Sequence, residues 1–193
     1  RATGSVTYVD EGEVTNTITF TPTDKFDENN YNITKQEGKL SITAREGEGK
    51  TITVTTATNS KVYDGTALTD YNHTWTGELV TGDTLVVTYL NSSAQTNVGS
   101  CKNEIAGYRV VRKVDGADKD VTSSYTFGET IIGTLTVTPV EIELTANSDS
   151  KQYDGTALTN EGYKITKGAF VGDEGLASVT VEGSQTLVGE SAN

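Results

Sequence analysis

The chain is poor in the residues from which most active sites are built. Its 193 residues hold one cysteine, one histidine, one tryptophan, two prolines and no methionine. A single cysteine, Cys101, excludes an internal disulfide and a cysteine-based zinc site, so the fold stands without covalent staples. Only Lys102 flanks it as a charged neighbour, and it reads as a small packed or loop residue rather than a reactive thiol. The single histidine, His73, sits in Tyr71-Asn72-His73-Thr74 with no serine or acid at triad spacing. No glycine-rich phosphate loop of either nucleotide-binding pattern occurs. No ten-residue stretch has the three-and-four spacing of an amphipathic helix. No apolar run reaches the length of a signal peptide or membrane span; with no initiator methionine, the expectation is that any secretion signal and wall-anchoring tail lie outside these residues.

Positive charge is also scarce. Fifteen Lys and Arg face 27 Asp and Glu, a formal net charge of -12. Nucleic acid needs a basic footprint that releases counterions, and the densest basic stretch, Arg109 to Lys113, is short and strand-like, so nucleic acid is excluded as a partner. Only 34% of residues are hydrophobic, which implies thin cores with one face of many strands in water.

What the chain does have is threonine, 34 of them, and a repeat. β-Branched polar residues suit the wet face of a sheet. Lys61 to Thr69, KVYDGTALT, returns as KQYDGTALT at Lys151 to Thr159, 90 positions on. Asp-Gly marks a tight turn, since glycine tolerates positive φ and aspartate bonds its own following backbone. Asp64 and Asp154 therefore read as turn residues rather than as ligands or catalytic acids, there being no histidine or cysteine beside either. The register extends further: Ile52-Thr53-Val54-Thr55 matches Ile142-Glu143-Leu144-Thr145, Gly82-Asp83 matches Gly172-Asp173, and Gln95 to Gly99 matches Gln185 to Gly189. A second set points backward, Tyr31-Asn32-Ile33 and Gly38 to Thr43 resembling Tyr125-Thr126-Phe127 and Gly133 to Thr138. This divides the chain into 1–48, the back half of a module or part of a first closed one; 49–138, a complete module; and 139–193, the front half of a third.

These residues resemble the YDG and MBG-type repeats of Gram-positive surface proteins. The similarity rests on Lys-x-Tyr-Asp-Gly-Thr, a Gly-Asp before a strand, Gln-Thr-x-Val-Gly, Asp120-Val121-Thr122-Ser123-Ser124-Tyr125, and Gly-Thr-Leu-x-Val-Thr, in that order, from Tyr31 onward. The resemblance implies extracellular tandem modules of an adhesin, cell-wall attached through regions outside this chain, with no catalytic residues and no cofactor. The expected fold class is all-β, tandem antiparallel modules in an elongated row, each an Ig-like sandwich or, alternatively, β-grasp-like.

Along the chain, Val6-Tyr8 and Ile18-Phe20 read as a hairpin about Asp10 to Glu13, and Tyr31-Ile33 and Leu40-Ile42 as two more strands. Arg45 to Lys50 and Pro139 read as seams. Ile52 and Val54 alternate with threonines as a half-buried strand, and Leu85, Val87 and Tyr89 as a central one. Asn91 to Asn103 reads as an irregular connection. Asp115 to Asp120 holds three aspartates in a hairpin loop; they lack the ligand order and closing glutamate of an EF-hand. Lys61 and Lys151 read as strand-end lysines, with an isopeptide crosslink as the alternative.

Three functions follow. A stalk or spacer in adhesion comes first; binding of a host glycan or protein through exposed aromatics such as Tyr71, Trp75 or Tyr163 comes second; an accessory domain of an extracellular carbohydrate-active enzyme comes third. The expected partners are neighbouring repeat modules. No binding residue is assigned beyond those aromatics, and no metal or catalytic residue at all. The module phase leaves two assemblies open: two closed units, with Leu40 and Ile42 pairing inside their own chain against Thr51 to Tyr89, or completion of 139–193 by the first residues of another copy.

Overall fold

The computed structural model describes residues 3–192; Arg1, Ala2 and Asn193 lie outside the described residues. The protein is all-β. Its strands are β1 (Val14–Asn16), β2 (Gly38–Leu40), β3 (Thr53–Thr56), β4 (Asn59–Val62), β5 (His73–Thr76), β6 (Asp83–Tyr89), β7 (Gly99–Asn103), β8 (Ile105–Val114), β9 (Ala117–Asp120), β10 (Gly133–Thr138), β11 (Glu143–Ala146) and β12 (Tyr163–Lys167). Three single-turn 3-10 helices, at Val9–Glu11, Glu28–Asn30 and Thr122–Ser124, are the only helical elements among the described residues.

The strands fall into two compact units whose segments alternate along the chain. The first takes the residues through Ala57, Tyr71–Asn91 and Asn103–Gly133. It holds the antiparallel pairs β1-β2 and β3-β5 and the three-stranded sheet β6-β8-β9. The alternation of Ile52, Val54 and Thr56 with threonines does what a period of two dictates, burying all three while Thr51, Thr53 and Thr55 stay half-exposed. Ile52 and Val54 pack with Leu85, Val110, Val121 and Tyr125, and Tyr8, Leu79, Val87 and the stacked rings of Tyr108 and Phe127 close the rim. Along its other edge, β3 meets the segment after Tyr125 in parallel. Ile52 N–H donates to the Thr126 carbonyl at 2.9 Å, and Gly128 N–H to the Ile52 carbonyl at 2.9 Å.

The second unit takes Thr58–Asp70, Ser92–Lys102 and the residues from Thr134 on. It holds the sheet β4-β10-β7 and the antiparallel pair β11-β12. β10 lies between β4 and β7, so its apolar residues Leu135 and Val137 are sealed in, packing with Leu68 and flanked by Tyr63 and Cys101. Cys101 is the small, partly buried packing residue expected of it.

Several local expectations need correction. β10 pairs with β4 in parallel, Leu135 opposite Asn59 and Val137 opposite Lys61, so that sheet is mixed rather than antiparallel; the long stretch between the two strands supplies the crossover a parallel pair needs. Asn91 to Asn103 is not wholly irregular: its last five residues form β7, recruited by the free edge of β10 despite their polarity. β6 is an edge strand, and β8, which buries Val110 and Val111, is the central one. The N-terminal hairpin is shifted, since β1 pairs with β2, Val14 opposite Leu40, and not Val6-Tyr8 with Ile18-Phe20. Tyr31 has extended backbone, yet Tyr31 to Ile33 carry no strand assignment. Leu40 thus pairs within its own chain, though with neither of the segments expected. The sequence modules are also not the compact units, because residues 49–138 contribute to both.

Candidate functional site

The recurring stretch is a lysine-clamped turn, alike in both copies except that Lys61 Nζ also donates to the Thr66 carbonyl and Lys151 Nζ to the Ala157 carbonyl. In the first, one carboxylate oxygen of Asp64 accepts from Lys61 Nζ at 2.6 Å, from the Thr66 N–H at 2.9 Å and from Thr66 Oγ1 at 2.7 Å. In the second, Asp154 accepts from Lys151 Nζ at 3.0 Å, the Thr156 N–H at 2.9 Å and Thr156 Oγ1 at 2.8 Å. Gly65 and Gly155 have φ of 79° and 80°, a conformation glycine adopts without the Cβ penalty. Leu68 exchanges both backbone hydrogen bonds with Gln95, and Leu158 with Gln185. Each glutamine then folds its side chain back, Gln95 to the Asn97 carbonyl at 2.7 Å and Gln185 to the Leu187 carbonyl at 2.8 Å.

One contact survives with its partners exchanged. Asn59 donates to Asp70 at 2.9 Å, whereas at the matching positions Asn160 donates to Asp149 at 3.5 Å. The β11-β12 pair likewise repeats the β3-β5 register, Leu144 opposite Ile165 as Val54 is opposite Trp75. A bulge between Glu143 and Leu144 shifts the end of that ladder by one residue. Gly168 accordingly approaches Glu141 where Gly77 approaches Thr51; at either site a Cβ would collide with a backbone carbonyl.

These turns consume their own chemistry. The donors around each aspartate hold its carboxyl down at about 2: at Asp64 the Lys61 hydrogen bond leads, and at Asp154 the Thr156 N–H leads. A carboxylate fully ionised at neutral pH, facing a lysine engaged by oxygens, is poorly set for amide formation, which needs a neutral amine and a protonated acid. An intact-mass measurement is therefore expected to return the unmodified mass; a deficit of one water per Lys-Asp pair would show a crosslink. The acid dependence has a definite sign. Because the folded value lies below the ordinary 3.8, the stabilisation is complete above about 4 and is lost as pH falls through about 2. Thermal melts from pH 5 to pH 2 are expected to fall across that window, and the fall should shrink in the Asp64→Asn, Asp154→Asn variant.

The aromatics expected as a ligand platform are brought together in part. Trp75 is 44% exposed on β5, across the strand pair from the buried Val54. Its ring lies 6.2 Å from His73, His73 lies 6.4 Å from Tyr89, and Tyr89 lies 5.2 Å from the exposed Tyr71. Tyr89 Oη donates to the Asn72 carbonyl at 2.8 Å and fixes the middle of this row. His73 and Tyr89 were not foreseen as members; the alternation of Tyr71, His73 and Trp75, every second residue on one strand face, was the available signal. Tyr163 occupies the place of His73 in the next copy and stands in the second unit, not in this row.

The three aspartates at 115–120 are dispersed. Asp115 and Gly116, with φ of 50° and 83°, form the two-residue turn between β8 and β9. Asp118 pairs with Lys113 at 2.8 Å, and Asp120 accepts from the Thr122 N–H at 2.8 Å. No group of three metal-ligating side chains occurs among the described residues.

A fully engaged carboxylate lies elsewhere, at Asp83, whose side chain is only 4% exposed. Arg112 Nε donates to one oxygen at 2.5 Å and Tyr125 Oη to the other at 2.5 Å, while the Val80 N–H donates to Tyr125 Oη at 2.9 Å. Burial, then the bond to Asp83, pushes the Tyr125 phenol up, keeping it a donor. No family model, curated protein or solved structure matches the chain. The site therefore speaks through its geometry alone.

Proposed function

We propose that this chain is a non-catalytic repeat segment of a bacterial surface protein, acting as a stalk or spacer in adhesion. The observation that carries the proposal is what repeats and what does not. Lysine, aspartate, threonine and glutamine recur with the same hydrogen bonds: the aspartates and glutamines hold backbone, and each lysine clamps the side chain of its aspartate. Side chains of β5 change: the exposed Trp75 gives way to Ile165 and the partly buried His73 to Tyr163. Repetition of scaffold with variation of surface is what spacing requires, since a shared ligand would demand the reverse. The resemblance to YDG and MBG-type repeats adds an extracellular, cell-wall-attached setting with neighbouring modules as partners. Each module is taken as a sandwich rather than a β-grasp, a reading supported by the lack of any three-turn helix in the described residues of 49–138. The test is binding by the purified chain to arrayed glycans and immobilised host matrix proteins. A spacer gives none.

The row Tyr71, His73, Trp75 and Tyr89 favours a second reading, a glycan platform, because aromatic faces stack on sugar rings and this row presents Tyr71 and Trp75 to solvent. Saturable glycan binding abolished by Trp75→Ala would replace the spacer with that reading. Nothing in the geometry singles out an accessory role to a carbohydrate-active enzyme.

A further inference from the structure

Strand β10 lies between β4 and β7, whereas no described residue lies between the described counterparts of those two strands, 90 residues on. In their place is a groove of about 690 Å³ in the second unit, lined on one side by Ser148 to Lys151 and on the other by Gly183 to Ala192, with Tyr153 and Leu158 among its lining residues. Asp149 and Ser150 match Asn59 and Ser60 of β4, and Gly189 matches the first residue of β7. Tyr153 and Leu158 match Tyr63 and Leu68, which pack against β10 in the complete module. Tyr153 is exposed, and Leu158 is only half-buried.

The chain carries a second segment with the sequence pattern of β10, of which Gly38–Leu40 form β2. Gly38-Lys39-Leu40-Ser41-Ile42-Thr43 follows the pattern of Gly133-Thr134-Leu135-Thr136-Val137-Thr138. The approaches agree too: single-turn 3-10 helices at Glu28–Asn30 and Thr122–Ser124 each end on a tyrosine whose N–H bonds back to the first helical carbonyl. The burial does not agree. Tyr125 is 6% exposed and its counterpart Tyr31 is 63%; Val137 is 1% exposed and its counterpart Ile42 is 39%. The chain thus displays an apolar β10-like segment paired on one edge only, and a slot without its strand.

We propose that the Gly38–Thr43 segment of a second copy of this chain occupies the groove, Leu40 and Ile42 taking the positions that Leu135 and Val137 hold in the complete module. The occupant is specified by the internal example. Leu135 pairs with Asn59 and Thr136 with Ser60 in parallel, so Leu40 comes opposite Asp149 and Ser41 opposite Ser150. Insertion exchanges the three-residue β1-β2 ladder for two flanking ones, of which the β4 type alone has four residue pairs. The contact is heterologous, joining the early residues of one copy to the late residues of the next, so it propagates unless a ring closes. It deepens the spacer reading by naming the joint between modules, yet it stands or falls on association and not on the absence of a ligand.

Sedimentation velocity of the full chain at rising concentration is expected to show growing head-to-tail species. Ile42→Asp, at an exposed position two residues past β2, and Tyr153→Asp, at an exposed groove position, should each weaken association about tenfold or more, since each puts a charge where an apolar or aromatic side chain is to be buried. Each should leave the circular dichroism and melting of the monomer unchanged. Mixing the two variants leaves one intact strand and one intact groove, and so restores a dimer that goes no further. For register, Ser41→Cys, Ser150→Cys in a Cys101→Ala background is expected to form an intermolecular disulfide on oxidation. A strictly monomeric chain, a disulfide formed within one monomer, or a dimer that survives in either variant alone would overturn the proposal, the last by showing like-to-like pairing.

Discussion

Replacing Leu135 by alanine is expected to cost about 3 kcal/mol of stability, one of the two largest effects foreseen for a single change in this protein. Leu135 is fully buried and sits in a strand paired on both edges, so neighbouring side chains cannot collapse into the space left behind. Its cluster is small, comprising Leu68 and Val137 with Tyr63 and Cys101 at the rim, and no second layer of apolar residues shares the loss. Ile42→Ala is the informative control. Ile42 resembles Val137 in sequence but is substantially exposed, so its truncation should change stability by less than about 1 kcal/mol. Urea unfolding of both variants checks the pair. Equal losses would mean that Ile42 is buried in solution, which at high protein concentration is the outcome association would produce.

Asp83→Ala is expected to cost about 2–3 kcal/mol. Removing a carboxylate that accepts from both Arg112 and Tyr125 leaves a guanidinium and a phenol without their partner in a region where Asp83 itself is almost wholly screened from water. The cost stays below that of a fully buried pair because the Arg112 side chain is about a third exposed, and water relieves part of its loss. Tyr125→Phe removes the hydroxyl that accepts from the Val80 N–H, and should cost about 1–2 kcal/mol. The double variant tests the network: if the three groups act together, its cost falls short of the sum of the single ones. Strict additivity in denaturant melts would show that the bonds act independently.

A good part of this was legible in the residues. The 90-residue register foretold the matching turns; the Leu68-Gln95 and Leu158-Gln185 bridges and the shared β3-β5 and β11-β12 register recur with the same period, but which segments pair was not readable from it. Alternation identified Ile52 and Val54 as core. The candidate site was legible only in outline. Tyr71 and Trp75 were named, but Tyr89 joins them from another strand, and a pairing across strands leaves no mark in local spacing. Asp83 was seen as half of a Gly-Asp pair, and nothing nearby in sequence pointed to Arg112 or Tyr125.

By itself the sequence determined that the protein is β-structured, that it has no internal disulfide, and that one Asp-Gly turn is built twice. These follow from period-two alternation, a single cysteine and a chain that carries Lys, Asp-Gly and Thr at fixed offsets. Only the tertiary structure decided that β10 runs parallel to β4 and closes the space beside β7, that the compact units cut across the modules, and that the matching space after Ser148 stands open. The reason is physical. Apolar patterning states which face of a strand avoids water, but not which distant strand will cover it, and two segments as alike as Gly38–Thr43 and Gly133–Thr138 differ in burial because only the second has neighbours on both edges.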